Sequence, residues 1–404
     1  MRAATFFDGD GWREGVAELV DGNVRLRDAA PPPQLPRLDG VVIGGFTDHH
    51  VHLQLVDHTR LAGSRLGRVV DLGGDPAALR ELAGRFVSLR SLNDRSQPAR
   101  TPGDRTAPAD QDRTASGDHD RVSLGDGEAS GDRDRVALGD RDRTASDDRT
   151  ASSFHGNRLL SEERSDETKR PRAVEVDFAG AFLTAPGGYP SDRDWAPEGS
   201  FREISDADSA AAAVAEMADA GASCIKVTSN STAGPVLPDD LFRAIVGLAA
   251  DRALPVVAHA EGRGQAARVV RLGAARLAHA PFTEHLDDDE IARQAASASW
   301  ISTLAIHDDP ARAIAIDNVR RFRAAGGTVL YGTDLGNGPM PVDLNPREIA
   351  ALREAGLDDA ALLTALAPIG PLDRVAAVLF LPHASPVSAD PLDARPLTPA
   401  DLKV

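Results

Sequence analysis

Short apolar runs alternate with amphipathic segments along most of this chain. "GRVVDLGG" (67–74), "VEVDFAG" (174–180), "SCIKVT" (223–228), "LPVVAHA" (254–260) and "ARLAHA" (275–280) have the length of buried strands, and all but the last are rich in β-branched residues. "WISTLAIH" (300–307) and "GTVLYGTD" (327–334) belong with them, as does the run "VVIGGFTDHHVHL" (41–53). Between them lie stretches with apolar residues at helical spacing. After "DLGG", Asp75 and Pro76 form an N-cap and first-turn pair that opens the predicted helix "PAALRELAGRFVSLRSL". "DADSAAAAVAEMADAG", "LPDDLFRAIVGLAADR", "GQAARVVRLG", "DDDEIARQAA" and "PARAIAIDNVRRFRAAG" read in the same way. Eight strands, each but the last followed by a helix or a long crossover, predict an α/β chain with a parallel sheet closed as a (β/α)8 TIM barrel over about 43–371. An open doubly wound sheet is disfavoured, because no Gly-rich phosphate loop follows the first strand.

Two regions break the alternation. "REGVAELVDGNVRLRD" (13–28) reads as a hairpin, and residues 1–42 with 372–404 are expected to form a small β-sandwich beside the barrel. From about 93 to 172 the chain is Asp, Arg, Ser, Thr and Gly with few apolar residues, and it repeats itself: "DHDRVSLGD" is echoed by "DRDRVALGD". Repeats with no apolar face cannot stack, so this segment is expected to be a disordered insertion. Deleting about residues 98–168 and bridging the gap with a short flexible linker should leave folding and metal content intact. An insoluble or metal-free deletion variant would show that the segment packs.

The 404-residue chain has a formal charge of −17, which argues against nucleic acid or an anionic membrane surface as partner. No run approaches the ~20 apolar residues of a membrane helix. A single cysteine, Cys224, rules out an internal disulfide, and the N-terminus lacks a signal-like apolar core; a cytoplasmic location is expected. A small-molecule substrate is the expected partner, and a homo-oligomer is compatible with the composition.

Candidate chemistry concentrates at the strand ends. His50 and His52 are two apart in a strand and so share a face. His259, His279 and Asp334 close three other strands. All five stand where a barrel keeps its active site, and together they read as a metal centre. Lys226 is unusual. Lysine occurs otherwise only at Lys169 and Lys403, every other basic residue among the 45 being Arg, and Lys226 alone lies in an apolar strand. A buried ammonium is costly unless paired or neutralised.

"GFTDHHVH", "GASCIKV", "VVAHAEG", "LAHAP" and "YGTDLGNG" together resemble the amidohydrolase superfamily of metal-dependent hydrolases. "VVDLGG" adds a resemblance to its branch of imidazolonepropionase and prolidase-like enzymes. The chain departs from the usual pattern at Gly44, where proline is common, and in its Pro-rich C-terminus, so the β-sandwich is expected to be reduced. The resemblance implies two divalent ions, most often zinc, with manganese, iron or cobalt as substitutes. One is held by His50, His52 and Asp334, the other by His259 and His279, with Lys226 bridging them as a carbamate made from carbon dioxide. It implies hydrolysis of a C–N bond of the amide type by a hydroxide that bridges the ions, with Asp334 as general base.

The carbamate has a chemical rationale. Burial depresses a lysine pKa, and the neutral amine can take up carbon dioxide, which arginine cannot do because it stays protonated. Asp48 is placed to orient a ligand histidine. His307, Arg263, Tyr189 and Asn337 are candidates for substrate contact, Arg263 as partner for a substrate carboxylate. The alternatives are a mononuclear imidazolonepropionase-like hydrolase or deaminase and, ranked below it, a non-catalytic binding protein on the same barrel.

Overall fold

The strand run 41–53 is two strands. Arg37–Gly44 belongs to an antiparallel sheet and Phe46–Val51 to a parallel one. Close packing at Gly44 and Gly45 makes the division possible. A Cβ at Gly44 would collide with the Ile369 carbonyl, and one at Gly45 would lie 2.6 Å from the Gly67 backbone. Gly44 is therefore required by packing against Ile369. The computed structural model describes residues 1–20, 22–94, 174–372 and 378–403. The polar insertion expected at about 93–172 lies outside them, save its first two positions, which close the helix Pro76–Asp94. All described residues belong to one compact unit.

A three-stranded parallel sheet joins Phe46–Val51, Leu66–Asp71 and Glu175–Phe178. A seven-stranded sheet runs from Thr328–Leu330 through Ser299–Ile301, Arg276–Leu277, Val256–Glu261 and Ile225–Asn230 to Phe182–Thr184 and Phe201–Glu203. All its pairings are parallel. Backbone hydrogen bonds link the two sheets through both edge strands of the smaller one. His49 N–H donates to Tyr331 O (3.0 Å) and His52 N–H to Leu335 O (2.7 Å), while Ser223 N–H donates to Phe178 O (2.8 Å). The α/β class read from the alternation holds.

Side chains alternate along these strands with period two. Ile225, Val227, Val256 and Ala258 pack in the large core with Phe242, Ile245 and Val269 of the following helices. Cys224, Val257, Ala278 and Ile301 form a second, smaller cluster. Lys226 and His259 lie on the same faces as Cys224 and Val257, one position pair further on. The metal-ligand candidates thus crown a small apolar plug. Helix ends follow local rules: Asp206 and Ser209 make a reciprocal capping box for Ala207–Ala220, and Gly221 closes that helix at φ 93°.

Three expectations need correction. The last strands are shorter than their apolar runs: ladder pairing ends at Ile301 and at Leu330. His307 therefore follows a 3-10 turn, Leu304–Ile306, and does not end a strand. The terminal segments form a single six-stranded sheet, with strands Arg2–Phe7, Trp12–Val20, Asn23–Arg27 and Arg37–Gly44 from the N-terminus and Val378–Pro382 and Arg395–Pro396 from the C-terminus. The 3-10 turn Pro399–Leu402 packs Leu402 onto its core, where a sandwich would place a second sheet. Two helices unforeseen in the sequence, Pro346–Glu354 and Asp359–Leu366, follow the last parallel strand. Among the described residues no helix is long and apolar enough to cross a membrane.

Candidate metal centre

His50 and His52 are held by backbone acceptors. His50 Nδ1 lies 2.8 Å from Ala278 O, and His52 Nδ1 lies 3.0 Å from Gly73 O. Such bonds fix Nδ1–H as donor and leave each Nε2 with its lone pair available. Both Nε2 atoms converge on one oxygen, Asp334 Oδ1, at 3.1 Å each. The other oxygen, Oδ2, accepts from the Asn337 side chain at 3.0 Å. Asp334 sits at φ 54°, a left-handed conformation uncommon for a non-glycine residue. That turn aims the carboxylate at the imidazoles instead of continuing the strand direction.

His279 completes the first group. Its ring centroid is 4.7 Å from that of His50, and donor atoms of His50, His279 and Asp334 lie within 4.8 Å of one another. Its Nδ1 contacts Thr303 Oγ1 at 2.8 Å. Thr303 is itself strained, a β-branched residue at φ 47°. The strain is sustained by Glu348, whose two carboxyl oxygens accept from Leu304 N–H (3.0 Å) and Ala305 N–H (2.7 Å). Glu348 lies on an unforeseen helix, so no local pattern could reveal this support for His279.

Glu348 leads to a pH prediction. Burial raises its carboxyl from the ordinary value to about 7. A raised carboxyl pKa favours the protonated form in the folded state. Its stabilising contribution is present below the unfolded value and lost as pH rises through about 7. Between about pH 5 and about pH 8, Tm of the wild type should fall more than that of Glu348→Gln. Parallel falls in both proteins would exclude Glu348 as the source.

His259 and Lys226 stand beside this group. His259 and His279 rings are 4.8 Å apart. In the strand register, Thr228 and not Lys226 is opposite His259, so the lysine rises from one layer below. It is 1% exposed, and it forms no ion pair among the described residues. Burial lowers its pKa to about 8. Burial opposes ionisation of Asp334, but the imidazoles of His50, His52 and His279 outweigh it and hold the carboxyl well below its usual range. Burial also depresses His50 and His279. Four imidazoles, one ionised carboxylate and a lysine with a lowered pKa suit a divalent cation. Asp48 orients the strand: it accepts from His50 N–H (3.0 Å) and from Thr333 Oγ1 (2.6 Å).

The six ligand candidates line one cavity of about 460 Å³. His307, Tyr189 and Asn337 also line it. His307 stacks on Phe282 at 4.1 Å, its Nε2 buried without a hydrogen-bond partner. The Tyr189 carbonyl accepts from Thr184 Oγ1 (2.8 Å) and Thr228 Oγ1 (2.7 Å), which holds its ring 5.2 Å from that of His259. Arg263 does not line the cavity. Its side chain is 94% exposed and turned towards Glu284, because Gly262 at φ 101° redirects the chain after His259. The sequence reading missed Glu261, Phe182, Trp195 and Phe282, which also line the cavity. Glu261 could have been found, since strand period places it on the face of His259.

No family model matches the sequence, and no curated protein does. Solved structures do match. Over 95% of its length the chain superposes on a Xaa-Pro dipeptidase with methionine bound in its active site, at a TM-score of 0.55, 15% identity and 94% of that chain. The ochratoxinase of A. niger matches at a TM-score of 0.57, with 15% identity over 95% of this chain and 90% of its own. The chain shares the fold of these two proteins. Phenylurea hydrolase B shares it too, at a TM-score of 0.54, with 13% identity over 96% of this chain and 92% of the other. At such identities the likeness speaks for the fold, and the chemistry rests on the residues.

Proposed function

We propose that this protein is a metal-dependent hydrolase of C–N bonds, of amide type, in a small or peptide-like substrate. The observation that carries the reading is the convergence of His50 Nε2 and His52 Nε2 on Asp334 Oδ1, with His279 alongside. The parallel strands are read as a closed (β/α)8 barrel over about 43–371, supported by the hydrogen bonds through both edge strands of the smaller sheet, with the terminal sheet as accessory domain. A single buried cysteine suits a reducing, cytoplasmic location.

In this reading His50, His52 and Asp334 hold one divalent ion, and His259 and His279 a second, zinc being the first choice for such donors. Lys226, once carbamylated, would supply carboxylate oxygens to this site. The ions would supply an activated water and polarise the scissile carbonyl. Asp334 takes a proton from the water and returns it to the leaving nitrogen, its Oδ2 steadied by Asn337. His307, neutral because burial lowers its pKa to about 4, offers its unpartnered Nε2 to the substrate. Tyr189 covers His259 and narrows the cavity.

A second reading has one observation in its favour. His259 Nε2 faces Glu261 Oε2 at 3.1 Å and not Asp334. The one-metal hydrolase or deaminase is expected from the sequence on His50, His52, His259 and Asp334; with His279, which stands with His50 and Asp334, in place of His259, it would leave His259 paired with Glu261. Metal analysis of the purified protein separates the two. The function itself is tested by a hydrolysis screen of metal-loaded protein against N-acyl amino acids, dipeptides, cyclic amides and aryl ureas. A protein that holds stoichiometric metal and cleaves none of them is not this hydrolase.

A further inference from the structure

Among the described residues the carboxylate of Glu261 has no Arg or Lys partner, and its one ionisable neighbour is His259. Its side chain is 28% exposed and lines the cavity beside His259. Oε2 accepts from Asn230 Nδ2 at 2.8 Å and lies 3.1 Å from His259 Nε2; Oε1 accepts from Thr232 Oγ1 at 3.0 Å. These groups hold the carboxylate in one orientation, but among the described residues no Arg or Lys pairs with it. A half-buried carboxylate with no Arg or Lys partner keeps a charge that a cation can answer. His259 Nε2 cannot serve both Glu261 and a metal. With a metal on that nitrogen, Glu261 Oε2 would keep Asn230 Nδ2 as donor and be free to accept from a further group.

The surrounding wall is aromatic. Trp195, 41% exposed, lies 6.0 Å from the Tyr189 ring and 6.4 Å from that of Phe182. Tyr189 in turn lies 5.2 Å from His259. Such faces attract ammonium groups and repel anions. No arginine lines the cavity among the described residues. Arg193 sits 5.8 Å from the Tyr189 ring centroid, outside the lining, and is paired with Asp192. The formal charge of −17 also favours approach of cations.

We propose that Glu261 and the aromatic wall of Phe182, Tyr189 and Trp195 select substrates bearing an ammonium group near the scissile bond, such as aminoacyl amides, over their neutral counterparts. This specificity rests on the hydrolase reading but is tested by binding alone. The measurement is titration calorimetry of zinc-loaded protein with phenethylamine, protonated at neutral pH, and with phenethyl alcohol, its neutral match. The wild type should bind the amine about 10–100-fold more tightly, as for hydrogen bonds to a charged partner. Glu261→Gln keeps the shape and two of the neutral contacts but removes the charge, and should abolish that ratio at unchanged metal content. Equal or undetectable binding of amine and alcohol by the wild type would overturn the proposal. So would a preference that survives undiminished in Glu261→Gln, since the carboxylate would then take no part in it. A loss of metal in Glu261→Gln would make Glu261 a ligand and overturn it as well. The binding outcome is independent of the hydrolysis screen, so either reading can fail without the other.

Discussion

Replacing Lys226 with alanine should lower bound metal from about two ions per chain towards one or none and abolish turnover. The side chain is 1% exposed, lies in an apolar strand, and has no carboxylate partner among the described residues. Its Nζ stands 5.8 Å from the Phe182 ring centroid, in the cavity that holds the imidazoles. Burial lowers its pKa to about 8, so near neutral pH about a tenth of the amine is uncharged, far more than for an ordinary lysine. An uncharged amine in a site rich in metal donors is the species that takes up carbon dioxide. The carbamate exchanges an unpaired cation for an anion with two oxygens, which reverses the electrostatics towards two divalent ions. Alanine removes the bridge and leaves like charges without it. A small acid such as acetate or propionate should restore part of the activity by filling the vacated space. Lys226→Arg should resist rescue, because a guanidinium fills the site and stays charged. The check is metal content and turnover of wild type and Lys226→Ala, each prepared with bicarbonate and with carbon dioxide excluded. If both bind one ion and hydrolyse alike, the carbamate does not exist.

Asp334→Asn should cost about 10²–10⁴-fold in turnover while leaving the fold intact. The amide is isosteric, and its oxygen can still face His50 and His52. It cannot accept a proton from water, and it lacks the charge that those imidazoles stabilise. Thermal unfolding and metal analysis of the variant separate loss of chemistry from loss of assembly. Near-wild-type turnover on an identified substrate would move the general base elsewhere.

The histidines of the strands were legible because strand geometry is local, although His279, read as closing its strand, lies two residues past Arg276–Leu277. A period of two puts His50 with His52 and Cys224 with Lys226 on shared faces whatever the rest of the chain does. A parallel α/β fold brings the ends of successive strands to one rim, so residues distant in sequence meet. The same reasoning would have placed Glu261 beside His259. Arg263, two residues further, was misread because the left-handed Gly262 breaks the period that the reading assumed.

Sequence alone determined the alternating strands and helices, the α/β class and the candidate donors His50, His52, His259, His279 and Asp334, with Lys226 marked out by its rarity. These follow from side-chain periodicity and from the cost of burying polar groups, which each short segment bears by itself. Tertiary structure decided the rest. It set the left-handed turns at Thr303 and Asp334, the support of His279 by Glu348 from 69 positions away in the chain (348 − 279), and the collapse of the expected sandwich to one sheet. It also set the aromatic wall drawn from the loop around Tyr189 and Trp195. Each of these depends on contacts between segments whose separation no local period encodes, and strained turns persist only where such contacts outweigh their cost of about 1–3 kcal/mol.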